Sequence, residues 1–219
     1  MALKLYGHPF SSYTQKALIA LYENGTAFDY LTLGPDAPEI GAEFGALWPI
    51  GKFPVLVDEG QLVFEATIIV EHLGLHHPGP VRLLPADPAA ALPVRMLDRF
   101  FDNYVMRPMQ KIVTDSMRSG EERDARGVAD SRALLDTAYA WLEKHLEGRE
   151  WAADGGFTLA DCAAAPSLFY ADWAHPIPDG RPHLRAYRQR LLERPSFARA
   201  VDEARPYRPF FPLGAPDRD

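Results

Sequence analysis

The sequence predicts an α/β domain over residues 1–77, a linker over residues 78–88 and an all-helical domain over residues 89–219. Three observations predict this organisation. Short β-rich runs alternate with helical periodicity up to residue 75. Helix-breaking residues then cluster in the segment His76-His77-Pro78-Gly79-Pro80. Beyond the linker the apolar spacing is helical, and no hairpin signal occurs.

Within the first domain, residues 3–6 predict a strand and residues 28–33 a second one. Between them lies a helical pattern that Ser11 and Ser12 precede as N-cap candidates, and that Asn24-Gly25 ends as a typical C-cap. Residues 53–64 predict a β-hairpin with its turn at 58–61, and a further helix begins after Phe64. The stretch over residues 38–48 is less regular. With a helix there, the order is β-α-β-α-β-β-α, which fits one four-stranded sheet with three helices.

The second domain predicts a long helix over residues 96–117 with a bend at Pro108, and a second helix over residues 121–146. A third begins at Thr158 and runs to about residue 173, and shorter patterns cover residues 184–192 and 196–204. Thr158 and Asp161 have the spacing of a capping box, with Asp in place of the usual Glu or Gln. We expect residues 205–219 to be extended.

Composition limits the function. The chain has 219 residues, of which 47% are hydrophobic and 24% charged, as in ordinary globular proteins. Its net charge of −7 gives no general attraction for phosphate backbones, so we expect no nucleic-acid partner. The single cysteine, Cys162, excludes an internal disulfide and a Cys-rich zinc site, and helical spacing predicts that it is buried. We find neither a signal peptide nor a membrane span, and therefore expect a cytoplasmic protein without a membrane partner.

Four motifs, in this order, resemble those of the cytosolic glutathione transferases, specifically the serine-using theta- and zeta-like bacterial type. Residues 8–16 (HPFSSYTQK) are similar to the loop between strand 1 and helix 1, and residues 51–56 (GKFPVL) to the loop that holds a cis-proline. Residues 65–69 (EATII) resemble the start of helix 3, and residues 157–161 (FTLAD) the capping box of the helical domain. The resemblance covers residues 3–204. It implies a thioredoxin-like first domain, glutathione as co-substrate without a metal, and a homodimer.

The reaction that this resemblance implies is attack of the glutathione sulfur on a small hydrophobic electrophile. The thiolate is the nucleophile, so the site must lower a thiol pKa that is ordinarily about 8.5. A shift of two units needs about 2.7 kcal/mol, and a hydroxyl donor supplies about 1.5–3 kcal/mol. Ser11 is the first candidate donor by its position, and Ser12 could share or replace its role. Tyr6 lies where tyrosine-using classes place their hydroxyl. Alternatively, both serines only cap the helix.

The resemblance also places glutathione on two segments, formed by Lys52, Phe53 and Pro54 and by Glu65, Ala66 and Thr67. A cis Phe53–Pro54 bond would direct the Phe53 backbone toward the cysteinyl backbone of the peptide. Glu65 would accept from the α-ammonium, while the next two N–H groups would meet its carboxylate at a helix N-terminus. The family usually has serine at the position of Ala66. Either Thr67 supplies the missing hydroxyl or the affinity is low.

Two other functions stay open. A weakened glutathione site would suit a non-catalytic ligand-binding or interaction protein on the same scaffold. The paired serines would also suit a glutathione-dependent isomerase, although its usual cysteine is absent. His72 and His76 have the i, i+4 spacing of metal ligands, but Gly74 and the nearby helix end favour solvated histidines, so we predict no metal site. Arginines 95, 99 and 107 predict a solvated or interdomain face.

Overall fold

The first domain of the computed structural model, which describes residues 3–153 and 155–219, is built on a four-stranded mixed sheet. Its strands are β1 (Lys4–Gly7), β2 (Asp29–Thr32), β3 (Val55–Asp58) and β4 (Gln61–Phe64). Its helices are α1 (Ser12–Glu23), α2 (Pro38–Leu47) and α3 (Ala66–His76). The strand order is β2-β1-β3-β4, with β1 parallel to β2 and antiparallel to β3, and β3 antiparallel to β4. The predicted thioredoxin-like fold class is confirmed.

The sheet separates two apolar layers because side chains of a strand alternate between its faces. Leu5 pairs with Leu56, and both side chains are buried in the main core with α1 and α3. Tyr6 pairs with Val55 on the opposite face, where they pack with Phe44 of α2. This alternation decides which side chains of β1 can approach a ligand beside α1.

Helix α2 and the β3–β4 hairpin differ in how clearly local sequence signals mark them. The N-cap of α2 is Ala37, whose side chain cannot accept an N–H, so the helix start carries little signal beyond Pro38 at its first position. The hairpin turn is explicit by contrast. Glu59 and Gly60 have φ of 49° and 89°, as a two-residue type I′ turn requires, and glycine adopts such a φ without steric cost.

The second domain is all-helical, as predicted. It contains α4 (Pro88–Phe100), a π-helical segment (Phe101–Met106), α5 (Arg107–Ser116), α6 (Ala125–His145), α7 (Leu159–Ala174), α8 (Pro182–Glu193) and α9 (Pro195–Ala204), with 3₁₀ turns at Gly120–Glu122 and Arg205–Phe210. Helix α7 is buried along its whole length and contacts α1 of the first domain, and Cys162 is buried within it as predicted. No helix in the described ranges is both long and apolar enough to cross a membrane.

Three sequence predictions for this domain were wrong in detail. The first long helix begins at Pro88 rather than at residue 96, because the Asp87 carboxylate accepts the Ala90 N–H at 2.8 Å. The sequence predicts a bend at Pro108, but the structure has a π-helical segment that ends at Met106, just before this proline. Proline has no N–H to donate to the preceding turn of a regular helix. The tail forms a 3₁₀ turn before it becomes irregular, and is not extended throughout.

A buried charge cluster joins the two domains. Lys16 of α1 is 1% exposed, and its Nζ lies 2.5 Å from Asp98 Oδ1 and 2.9 Å from Asp102 Oδ2 of the second domain. The Thr67 hydroxyl of α3 accepts from Lys16 Nζ at 2.8 Å and donates to Asp98 Oδ2 at 3.0 Å. The Arg99 guanidinium contacts the same threonine and both aspartates. Helices α1 and α3 are therefore fixed against the start of the second domain.

Candidate active site

A cleft of about 720 Å³ runs along the boundary between the domains. Its walls come from the start of α1, the loop before β3, the start of α3, the helices from α4 to α5, and the tail. Seven predicted site residues line it: Ser11, Ser12, Lys52, Phe53, Pro54, Glu65 and Ala66. The structure thus brings the two serines together with segments that begin at least 40 residues later in the sequence. Tyr6 and Thr67 do not line the cleft.

Ser11 and Ser12 stand at the N-terminus of α1. Ser11 is the N-cap, and its Oγ accepts the Thr14 N–H at 3.3 Å. A hydroxyl that accepts one hydrogen bond still has its own hydrogen to donate, so the capping role leaves a donor for the cleft. Ser12 is the buried first residue of the helix, and its side chain forms no hydrogen bond to any described residue. Both hydroxyls therefore remain candidate donors.

The loop before α1 is held by the second domain. Gln15 Nε2 donates to the Pro9 carbonyl at 2.9 Å and to the Tyr170 hydroxyl of α7 at 3.0 Å. Phe10 packs edge-on against Tyr170, with ring centroids 5.4 Å apart. His8 Nδ1 accepts the Phe10 N–H at 3.1 Å, and burial lowers the pKa of His8, which favours a neutral ring. These contacts fix the position of the serines that follow.

Tyr6 lies on the wrong face of the sheet for the donor role considered above. It is buried against α2, and its hydroxyl donates to Glu43 Oε1 at 2.6 Å. Burial, and then this hydrogen bond, raise the pKa of Tyr6 well above its usual value. The alternation along β1 explains the placement, because Leu5 takes the face that α1 covers.

The loop before β3 forms a second wall of the cleft. The Phe53–Pro54 bond is cis, as predicted. Pro54 is buried at the end of this loop, while the Lys52 side chain is exposed at the rim. Trp48 stacks on Phe64 with ring centroids 4.3 Å apart, which gives this wall an aromatic edge.

The start of α3 contributes the third wall. Glu65 is its N-cap residue with φ 68° and ψ 118°, a strained conformation for a non-glycine residue and one that clusters at ligand sites. Its carboxylate caps no helix N–H and lines the cleft beside Ala66. The Thr67 hydroxyl instead faces the interdomain charge cluster. It therefore does not replace the hydroxyl that Ala66 lacks.

The histidines of α3 also differ from expectation. His72 is buried rather than solvated, and its Nε2 lies 2.8 Å from Asp58 Oδ2. The second histidine at this oxygen is His77, at 2.7 Å, and not His76. This group lies outside the cleft.

Two family models match the chain: the N-terminal domain of glutathione S-transferase over residues 1–74 and its C-terminal domain over residues 104–195. The chain belongs to the glutathione S-transferase family. It is 30% identical over 202 residues to the uncharacterized GST-like protein YibF of Escherichia coli K12, covering 90% of this chain and 97% of that protein. It is 27% identical over 204 residues to a stringent starvation protein A homologue of Coxiella burnetii, covering 92% of each. A glutathione S-transferase of Methylobacterium radiotolerans, solved in complex with glutathione sulfonate, superposes with a TM-score of 0.76 at 30% identity, over 92% of this chain and 95% of that one.

The cleft of this glutathione S-transferase family member is lined by two chemically distinct groups. The N-termini of α1 and α3 both line it, and their backbone N–H groups favour anionic ligand groups; we call this part the polar end. Phe10, Tyr170 and Phe211 also line it, and their rings contact one another; we call this part the aromatic end.

Arg99 and Asp102 line the side wall of the cleft. Burial raises the pKa of Asp102, and the nearby Lys16 opposes that rise.

Sequence reasoning missed several residues of this site. Gln15 and Tyr170 are 155 positions apart, so no local pattern links them. Phe210 and Phe211 belong to a tail whose proline content predicted an extended segment. The aromatic pair itself was an ambiguous signal, because Phe211 is buried in the main core whereas Phe210 is 75% exposed.

Proposed function

We propose that the chain is a glutathione transferase of the serine-using kind, which joins the glutathione thiolate to a small hydrophobic electrophile. The observation that carries the proposal is the Ser11 hydroxyl, at the N-terminus of α1, facing a cleft with one polar and one aromatic end. Glutathione sulfonate in the relative from Methylobacterium radiotolerans supports glutathione as the ligand of the polar end.

In this proposal the polar end holds the peptide through three groups. The Phe53 backbone beside Pro54 pairs with the cysteinyl backbone, and Lys52 lies at the rim to attract a carboxylate. Glu65 accepts from the α-ammonium; it lines the cleft, and its carboxylate makes no hydrogen bond to the first turn of its own helix. The first N–H groups of α3, at Ala66 and Thr67, meet the γ-glutamyl carboxylate.

The chemistry requires a stabilised thiolate and no general base. A hydrogen bond from Ser11 to the sulfur is charge-assisted and worth about 1.5–3 kcal/mol. The α1 N-terminus adds about 0.3–1 kcal/mol. Together they are sufficient for a shift of one to two pKa units, at 1.36 kcal/mol a unit. The electrophile lies against Phe10, Tyr170 and Phe211, which exclude water from the reacting sulfur.

The direct test combines retention on immobilised glutathione with turnover of a generic aryl halide. We expect both for the purified chain. Retention without turnover would contradict a transferase, whereas absence of both would contradict the glutathione site itself. A Phe10→Ala variant is the matched control for the aromatic end, since it should keep retention and lose turnover.

One observation favours a second function. Ala66 offers no hydroxyl, and the Thr67 hydroxyl is occupied by Lys16 and Asp98, so the γ-glutamyl end has one hydrogen bond fewer than the family usually provides. The similarity to a stringent starvation protein A homologue extends over 92% of the chain. A non-catalytic interaction protein is therefore the alternative, and the two assays above distinguish it.

We also propose a two-fold homodimer in which the first domain of one subunit meets the second domain of the other. Helices α3 and α4 each expose large apolar side chains: Ile68 and Leu75 on α3, Leu92 and Met96 on α4. Clusters of exposed large apolar side chains are typical of protein interfaces.

A further inference from the structure

The end of the hairpin and the C-terminal end of α3 bring three metal-ligating side chains together outside the cleft. Asp58 is the last residue of β3, His72 lies in α3, and His77 is the C-cap of that helix. The Nε2 atoms of His72 and His77 lie 2.8 and 2.7 Å from one oxygen, Asp58 Oδ2. The three ligand atoms all lie within 4.8 Å of one another.

The backbone explains why His77, and not His76, completes the group. Helical side chains four positions apart are neighbours, and His76 accordingly stacks its ring on His72 with centroids 4.3 Å apart. His77 has left the helix, with φ −130° and ψ 53°, so its ring returns toward Asp58. The sequence spacing that suggests a His72–His76 pair therefore identifies only one of the two histidines.

We propose that Asp58, His72 and His77 bind a divalent transition-metal ion of the zinc type. Two imidazole nitrogens and a carboxylate oxygen are a usual zinc ligand set, and water completes the tetrahedron. Mg²⁺ and Ca²⁺ prefer oxygen ligands, whereas two of the three ligand atoms here are imidazole nitrogens. The ligand set thus selects zinc, cobalt or nickel over the hard cations.

The geometry needs only a small change to receive the ion. Metal–ligand bonds of about 2.0–2.1 Å in a tetrahedron place the ligand atoms about 3.3 Å apart. The two nitrogen–oxygen separations of 2.7 and 2.8 Å are shorter by about half an ångström, a distance that side-chain rotation supplies. The ion replaces the hydrogens that now lie between these atoms.

Burial favours a stable site with access from solvent. The side chains of Asp58 and His72 are 12% and 8% exposed, whereas that of His77 is 33% exposed. The bound ion would join the sheet to the end of α3 and stabilise the first domain. The inference does not depend on the proposed transferase activity.

The test uses the full chain without a histidine tag, treated with chelator and kept in thiol-free buffer, because glutathione itself binds zinc. Zinc chloride titrated in a calorimeter should bind with one equivalent. At a free zinc concentration one hundred times Kd, the melting temperature should rise by about 5–10 °C. Cobalt should give the visible absorption of a tetrahedral ion, and Mg²⁺ should leave the melting temperature unchanged.

Variants identify the ligands. His77→Gln, the more exposed ligand and the safer change for folding, should weaken zinc binding at least about a hundredfold, and Asp58→Asn should do the same. His76→Gln is the matched control and should bind zinc like the original chain. The proposal is overturned if no saturable binding occurs below about 100 μM zinc, if His77→Gln binds zinc normally, or if His76→Gln loses it.

Discussion

At the scale of the residue, the proposed function gives Ser11 two roles that are usually treated as alternatives. Its oxygen accepts the Thr14 N–H, and the proposal assigns its remaining hydrogen to the sulfur of glutathione. Ser11→Ala removes both, so we expect about 0.5–2 kcal/mol of lost stability. The pH midpoint of aryl-halide turnover should rise by at least about one unit, because a thiolate that loses its donor is formed only at higher pH.

Two controls separate this role from its neighbours. Ser12→Ala should leave the pH midpoint unchanged, since the proposed function makes Ser11 the donor to the thiolate. Tyr6→Phe should also leave it unchanged, because the Tyr6 hydroxyl donates to Glu43 away from the cleft. A midpoint that moves in Ser12→Ala but not in Ser11→Ala would assign the donor to the other serine.

Ala66 and Thr67 allow a second test at this scale. Because the Thr67 hydroxyl is occupied by Lys16 and Asp98, the proposed site for the γ-glutamyl carboxylate has no hydroxyl donor from Ala66 or Thr67. Ala66→Ser should therefore tighten glutathione binding by about tenfold or more, the value of one hydrogen bond to a charged group. Thr67→Val should leave the affinity within about threefold and lower the melting temperature. Calorimetry would contradict this if Thr67→Val abolished binding in a stable protein.

At the scale of the element, the start of α7 depends on one carboxylate. Asp161 is fully buried and accepts four hydrogen bonds: from the Ala152 and Thr158 N–H groups and from the Thr158 and Tyr187 hydroxyls. The predicted capping pair is confirmed, and the contacts to Ala152 and Tyr187 extend it to three segments of the domain.

Asp161→Ala leaves these buried donors without an acceptor. Because one unsatisfied buried group costs about 1–3 kcal/mol, we expect a loss of at least about 3 kcal/mol. For a chain of this size that lowers the melting temperature by about 6–12 °C. Asp161→Asn keeps one acceptor oxygen, so its melting temperature should lie between those of Asp161→Ala and the original chain. A melt of Asp161→Ala like that of the original chain would show that α7 does not depend on this side chain.

The elements also show what the sequence could predict. Signals carried by neighbouring residues, such as the turn at Glu59-Gly60 and the cap at Ser11, located their elements within a few residues. Helix α2 has no capping side chain, so the sequence signal for its start was weak. The cis Phe53–Pro54 bond was predictable because a short local motif carries it. The direction of the Thr67 hydroxyl was not, because a partner more than 30 positions away decides it.

At the scale of the whole molecule, the oligomeric state is the first question. A chain of 24.5 kDa that forms the proposed dimer should scatter light as a particle of about 49 kDa. Met96, 60% exposed on α4, lies on the proposed interface, whereas Met117, 67% exposed, follows α5. Met96→Glu should yield monomers at micromolar concentration, because it buries a charge in an apolar contact. Met117→Glu should not. Monomers in the original chain would contradict the dimer.

The packing of the two domains against each other is the second question, and it depends on Lys16. This side chain is 1% exposed between Asp98 and Asp102, so Lys16→Met leaves two buried carboxylates whose remaining cationic partner, among the residues that the structure describes, is Arg99. Breaking a buried ion pair on one side costs about 3–5 kcal/mol. Arg95→Met is the matched control, since it breaks a more exposed interdomain pair with Glu71 and should cost less than about 1 kcal/mol.

The pH dependence of Lys16→Met distinguishes a buried-charge effect from simple loss of packing. Burial raises the pKa of Asp102 in the folded protein, and Lys16 is the largest influence against that rise. A carboxyl whose folded pKa exceeds its unfolded value of about 3.9 contributes stability at low pH, and this is lost as pH rises through the folded value. Removing Lys16 raises the folded pKa further. The stability deficit of Lys16→Met, measured by urea unfolding against the original chain, should therefore be largest near neutral pH and shrink toward about pH 4.5. A deficit that is constant over this range would mean that the variant loses packing alone, and that the aspartates are not held by Lys16.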